Sequence, residues 1–213
     1  MTELKTRLRL YLVTDAFLCT TPDLVTTVRL AVANGVTMVQ LREKTATSAE
    51  RVRMALAIKE ALAGTGVPLV VNDDVAAAVA ADVDGAHIGQ GDMSTAKARA
   101  LLGPDKILGL SCETCQAVQA ADPALVDYLG LGPVFGTATK ADHAQPIGLD
   151  GLAQLVALSP LPNVAIGGLK SIHVSDVRES GADGMAVVSA ICGQADPAAS
   201  ARAFSALKAE EIF

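Results

Sequence analysis

The chain has 213 residues, 51% hydrophobic but only 3% aromatic, and its 17 Lys and Arg against 23 Asp and Glu leave a net charge of -6. That length lies near the lower end of what a closed eight-stranded β/α barrel requires and allows burial of roughly 70% of the unfolded surface, while the acidic balance and scarce aromatics argue against a nucleic-acid partner. Mean hydropathy is +0.39, yet no apolar run approaches the roughly 18 residues that a bilayer span needs, so no membrane association is expected.

Met1 to Arg7 leads into an alternating strand pattern and not into a signal-type apolar block, which reads as a cytoplasmic protein. Short β-rich runs then alternate with alanine- and leucine-rich segments of helical period at intervals of about 25 residues. Strands are expected at 8–13, 36–41, 67–71, 84–88, 106–110, 126–131, 163–166 and 183–188. Helices are expected near 22–34, 48–63, 74–81, 94–102, 114–121, 150–158, 171–180 and 197–210. Thr21-Pro22, Ser48, Ser94 and Ser171 read as helix starts, and Gly35, Gly64, Gly103 and Gly181 as stops. Repeated β-α units without a GxGxxG or P-loop lysine motif predict an α/β chain forming a single-domain (β/α)8 TIM barrel over 1–213, in preference to an open doubly wound sheet. Such a barrel opens every strand end on one face, where residues distant in sequence converge.

Several strand ends carry chemistry. Gln40, Arg42 and Lys44 alternate at period two and project to one side, where a planar guanidinium and a point-charge ammonium suit phosphate oxygens. The competing account is a solvated strand end paired through Glu43. Asn72, Asp73 and Asp92 come from consecutive units and form an oxygen-rich set suited to Mg²⁺, against which stands helix capping. Capping accounts for Asp74 better than for Asp92, because Ser94 is already placed to cap the next helix. The connection from Gly132 to Gly148 is long for a compact domain and reads as a lid, with Thr137, Thr139 and Lys140 as donors. Gly167-Gly168 and Val188-Ser189 follow the last two strands, where barrel enzymes often bind phosphate. Cys19, Cys112, Cys115 and Cys192 fit a reducing compartment. Cys112-Glu113-Thr114-Cys115 is formally a CxxC, and a helix start could lower a thiol pKa there, but the structural reading is preferred. His87, His143 and His173 are scattered and read as structural or solvated.

From Leu10 to Ile191 the chain resembles the thiamine-phosphate synthase family, through QLREK at 40–44, VNDD at 71–74, DGAHIGQGD at 84–92, GLS at 109–111, DYLGLGPVFGTATK at 127–140, VAIGG at 164–168 and GADGMAVVSAI at 181–191. The resemblance implies a transferase that joins hydroxymethylpyrimidine diphosphate to a thiazole phosphate, releasing diphosphate by a dissociative route. It implies that Gln40, Arg42, Lys44, Asn72, Ser111 and Lys140 hold the pyrimidine diphosphate, with Arg42, Lys44, Ser111 and Lys140 as the catalytic group. It likewise gives Mg²⁺ to Asp73 and Asp92, and the thiazole phosphate to Thr137, Thr139, Gly168, Val188 and Ser189.

Two positions depart from the family pattern. Gly136 stands where proline is common, implying a more mobile hinge, and Cys112-Glu113 replaces the usual Ser-x-His continuation. The alternatives are an isomerase of the thiazole tautomerase-like branch and a non-catalytic thiazole-phosphate-binding barrel. Intact Asn72-Asp73, and Glu113 in place of a histidine, weigh against the first. The partners expected are phosphorylated small molecules, and a homo-oligomer is compatible with the sequence.

Overall fold

A computed structural model of the chain describes residues 3–136 and 145–204. Eight parallel strands close into a barrel in sequence order: β1 (Leu10–Val13), β2 (Met38–Leu41), β3 (Leu69–Asn72), β4 (Gly85–Ile88), β5 (Ile107–Cys112), β6 (Tyr128–Leu131), β7 (Asn163–Ile166) and β8 (Met185–Val187). Closure comes from β1 pairing with β8, Leu10 opposite Met185. The outer helices are α2 (Leu24–Ala33), α3 (Ser48–Ala61), α4 (Val75–Ala80), α5 (Thr95–Leu102), α6 (Cys115–Ala120), α7 (Gly148–Leu158), α8 (Val174–Glu179) and α9 (Pro197–Arg202), with a short 3-10 turn at Ser171–His173 ahead of α8. The expected (β/α)8 barrel is thus present. Of the helix expected over 197–210, residues beyond 204 lie outside those described.

The N-terminus adds an element that was not expected, α1 (Glu3–Leu8), which takes only Leu8 from the strand expected at 8–13. Leu4 and Leu8 are four apart, so they share one helical face, and both pack against the apolar interior of the barrel beside Tyr11, Met38 and Val164. Two apolar residues four apart are a weak helix signal by themselves, and the open bottom of the barrel rewards the helix.

Helix starts also shift by a residue or two. Asp23, not Thr21, caps α2 by accepting the Thr26 N–H at 3.0 Å, and Thr47 precedes Ser48 as the cap of α3 in a reciprocal box with Glu50. Ser94 occupies the expected cap position of α5 but makes no side-chain cap hydrogen bond. Asp74 caps α4 as expected, accepting the Ala77 N–H at 2.9 Å. Gly35, Gly64, Gly103 and Gly181 all adopt positive φ at the helix ends they were expected to stop.

Strand periodicity sorts the core into two shells. Outward residues such as Leu12, Val39, Val71, Ala86, Leu108 and Leu129 pack beneath the helices. Inward residues fill the barrel, and they change character along its axis: Tyr11, Met38, Val70, Tyr128 and Val164 form the apolar floor. One period further along are Gln40, Asn72, His87 and Ser111, which line an open cavity. The polar layer therefore sits at the C-terminal mouth. Among the described residues, no helix is long and apolar enough to cross a membrane.

Candidate active site

The cavity at the mouth has a volume of about 430 Å³. Gln40, Arg42, Lys44, Asn72, Asp73, Asp92, Ser111, Gly168, Val188 and Ser189, ten positions read from the sequence, all line it. Thr137, Thr139 and Lys140 lie outside the described residues.

Arg42 enters the cavity from the end of β2. Its backbone N–H donates to Thr14 Oγ1 at 3.1 Å, which ties the β2 extension to the end of β1. Its Nη2 is buried and has no hydrogen-bond partner among the described residues. A desolvated guanidinium N–H with no acceptor is costly by about 1–3 kcal/mol, and an anion entering the cavity would relieve that cost. Glu43 does not behave as the solvated partner of a strand end: it is buried, and its Oε1 accepts the Ala16 N–H at 2.9 Å. Burial pushes the Glu43 carboxyl above the ordinary carboxylate range.

Asp73 and Asp92 are brought together across the β3 and β4 ends. Asp73 has φ 62, a left-handed conformation that aspartate tolerates better than most residues, and it stands at the cavity rim while the next residue, Asp74, turns to cap α4. Asp92 is held in place by accepting the Gly89 N–H at 2.8 Å. Partial burial of the Asp73 carboxyl, then its hydrogen bond and charge repulsion with Asp92, push its pKa up to about 6, although Asn72 and Arg42 pull it down. Two carboxyls brought this close are matched to a divalent cation, and an all-oxygen set suits Mg²⁺. Among the described residues no three His, Cys, Asp or Glu side chains group to hold a metal ion, so a cation here needs water and substrate oxygens as well.

The opposite wall is built by close backbone approach. Val134 N–H donates to Ile166 O at 2.8 Å and Phe135 N–H to Gly167 O at 3.0 Å, laying the start of the long connection over the end of β7. Gly167 has φ 102 and Gly168 φ 64, and a Cβ on Gly168 would lie 2.6 Å from Gly136 O and 2.8 Å from the Phe135 side chain. These glycines are required by that crossing. The far end of the connection returns to the same place, since Ile147 N–H donates to Pro133 O at 2.9 Å.

The fold and the cavity can be compared with known proteins. The Thiamine monophosphate synthase family matches residues 10–191. The chain belongs to this family. A thiamine-phosphate synthase of a Psychrobacter species is 52% identical over 193 residues, 89% of this chain and 90% of the relative. Another, from Xanthobacter autotrophicus, is 52% identical over 199 residues, 93% of this chain and 94% of the relative. The solved thiamine phosphate pyrophosphorylase of Pyrococcus furiosus superposes with a TM-score of 0.87 at 32% identity, covering 96% of this chain and 97% of that one. A 3-hexulose-6-phosphate synthase shares the fold alone, at 18% identity and a TM-score of 0.68. The chain is thus an enzyme of the transferase class, and its activity is thiamine-phosphate synthesis.

Sequence reasoning missed part of the site. His87 was read as structural or solvated, and it is a buried, hydrogen-bonded residue; what was not read is that its ring forms part of the cavity wall, with Nε2 2.9 Å from Ser111 Oγ. Tyr11, Gln90 and Glu113 also line the cavity. The signal was available in the strand period: His87 and Ser111 are inward positions of β4 and β5, just as Gln40 is of β2. The CxxC is not a redox pair of exposed thiols, since burial pushes the Cys112 thiol up to about 11 while Cys115 is exposed, and both are free.

Proposed function

We propose that the cavity binds hydroxymethylpyrimidine diphosphate and a thiazole phosphate together and releases diphosphate before the thiazole nitrogen captures the pyrimidine methylene carbon. The observation that carries this reading is the buried Arg42 Nη2, which has no partner among the described residues, in the same cavity as the Asp73 and Asp92 carboxyls. An unsatisfied cationic donor and an electron-rich carboxylate pair are complementary to a diphosphate and its counter-cation.

In this reading Arg42 and Lys44 hold the diphosphate oxygens, and the Ser111 hydroxyl adds a neutral donor. Gln40 and Asn72 orient the pyrimidine end, while Gly168, Val188 and Ser189 surround the thiazole phosphate. Thr137, Thr139 and Lys140, on the long connection, complete the two anion sites. Asp73 and Asp92 would hold Mg²⁺, which supplies Lewis-acid neutralisation of charge on the leaving diphosphate.

Departure of diphosphate moves negative charge onto oxygens that already face Arg42 and Lys44. One favourable charge pair at about 4 Å in an effective dielectric near 20 is worth about 4 kcal/mol, or about a thousandfold in rate if realised only in the transition state. No strong general base is needed at the carbon. The four cysteines are free, which supports a reducing, cytoplasmic setting.

The test is incubation of purified protein with both substrates, with and without Mg²⁺, and chromatographic detection of thiamine phosphate. Product that forms only with the metal supports the reading. Product formed equally fast in the presence of a chelator rejects the role given to Asp73 and Asp92.

A further inference from the structure

Below the carboxylates, side chains from five neighbouring or facing strands are joined end to end. Gln40 Nε2 on β2 donates to the Tyr11 hydroxyl of β1 at 2.8 Å, and the hydroxyls of Tyr11 and Tyr128 on β6 are 2.8 Å apart. The Tyr128 hydroxyl is 2.8 Å from His87 Nδ1 on β4, and His87 Nε2 is 2.9 Å from Ser111 Oγ on β5. Tyr11 is 1% and Tyr128 0% exposed, so these hydroxyls are cut off from bulk water.

Two glycines make room for this arrangement. A Cβ on Gly109 would lie 2.2 Å from Tyr128 Cζ and 2.4 Å from His87 Nδ1, and one on Gly130 would lie 3.3 Å from His87 Cε1. Gly109 pairs with both His87 and Tyr128 across the sheet, so the inward space its missing side chain leaves is the space the two rings share.

The chain has a direction. An amide Nε2 only donates, so Tyr11 accepts from Gln40 and its own proton goes to Tyr128. Tyr128 then gives its proton to His87 Nδ1, because burial pushes both phenols above their ordinary value and both stay protonated. A ring nitrogen that accepts is bare, which leaves the imidazole proton on Nε2, where it is donated to Ser111 Oγ. A proton on Nδ1 would run the chain backwards and end it donor against donor at the Gln40 amide, in a buried site where each unmatched donor is expensive.

We infer that Tyr11, Tyr128 and His87 are positioning residues, joined by this one-way hydrogen-bond chain, that fix His87 as its Nε2–H tautomer and turn the Ser111 hydroxyl proton into the cavity as a donor to an anionic oxygen. The identity of that oxygen as the diphosphate's rests on the function proposed above; the tautomer does not.

Long-range ¹H–¹⁵N spectra of the full-length protein read the tautomer directly, with His87→Gln used only to assign the signal among the three histidines. A bare Nδ1 and a protonated Nε2 are expected, and a proton on Nδ1 overturns the inference. Tyr128→Phe keeps the ring and removes the donor, so it should release the tautomer to a mixture and lower kcat by about tenfold. The same substitution made in a Ser111→Ala background should have no further effect on kcat, because its action passes through that hydroxyl. An undiminished tenfold loss there overturns the inference as well. If no thiamine phosphate forms at all, the proposed function fails, while the spectrum still decides the tautomer.

Discussion

Arg51 of α3 reaches the Asp74 carboxylate with Nη1 at 3.1 Å while its Nε donates to Glu43 O at 2.9 Å. One guanidinium thereby ties the Arg42–Lys44 segment to the Asp73–Asp74 turn, so the cationic and carboxylate halves of the cavity are held by a residue outside it. The pair is mostly buried, with side chains 20% and 15% exposed, which sets it apart from a surface ion pair of little worth. Arg51→Leu should destabilise the fold by about 1–3 kcal/mol in urea titration and raise KM for the pyrimidine diphosphate. Arg51→Lys keeps the charge but loses the fork, and should recover only part of both. An unchanged KM in the leucine variant would show that the clamp does not position the site.

Asp92→Asn keeps an oxygen to accept the Gly89 N–H and removes the charge. Mg²⁺-dependent turnover should fall by about 100-fold or more with the thermal transition little changed. Since the Asp92 carboxyl helps to raise Asp73, the Asp73 titration should also move down in this variant, as followed by carboxyl ¹³C chemical shifts. Wild-type rates in Asp92→Asn would remove the carboxylate pair from the mechanism.

The raised Asp73 value gives a sign to the pH dependence. A carboxyl with an ordinary value of 3.8 and a folded value of about 6 binds a cation only once deprotonated, so Mg²⁺ affinity should fall as pH drops through about 6. In the metal-free protein the same shift acts on stability in the opposite sense: the contribution is present below about 3.8 and lost as pH rises through about 6. Calorimetric titration at about pH 5 and about pH 7.5 measures the first, and melting curves across that range measure the second. Equal Mg²⁺ affinity at both pH values contradicts the assignment.

The cysteines give a control. Cys112 is buried with its thiol pushed up to about 11, so it is poorly set to act as the thiolate of a redox CxxC, and Cys115 is exposed and free. Activity assayed with and without a thiol reductant should be the same, and a reductant requirement would restore a redox role.

Much of the site was legible before any coordinates because its residues follow the strand period. Gln40, Arg42 and Lys44 alternate, and alternate residues of a strand share a side. The pair Asn72-Asp73 was legible as polar residues at a strand end, although the left-handed turn at Asp73 that separates its carboxyl from the capping Asp74 was not. The place of His87 in the cavity wall was not legible because a lone histidine carries no spacing of its own; only its register opposite Gly109 and Asn72 places it among the inward polar groups. The N-terminal helix was not expected because a run of six residues has too few periods to announce a helix.

By itself the sequence determined the alternation of strand and helix, hence the barrel, and the chemical types gathered at its mouth, because periodicity and strand-end composition are local properties of the chain. Only the tertiary structure decided which of those groups meet. Closure of β1 onto β8 completes the barrel in which Tyr11 and Tyr128 come within hydrogen-bond reach although they are 117 positions apart, and in the folded chain Arg42 Nη2 is buried with no acceptor among the described residues. Distance and desolvation in a closed sheet depend on every strand at once, and no local pattern contains them.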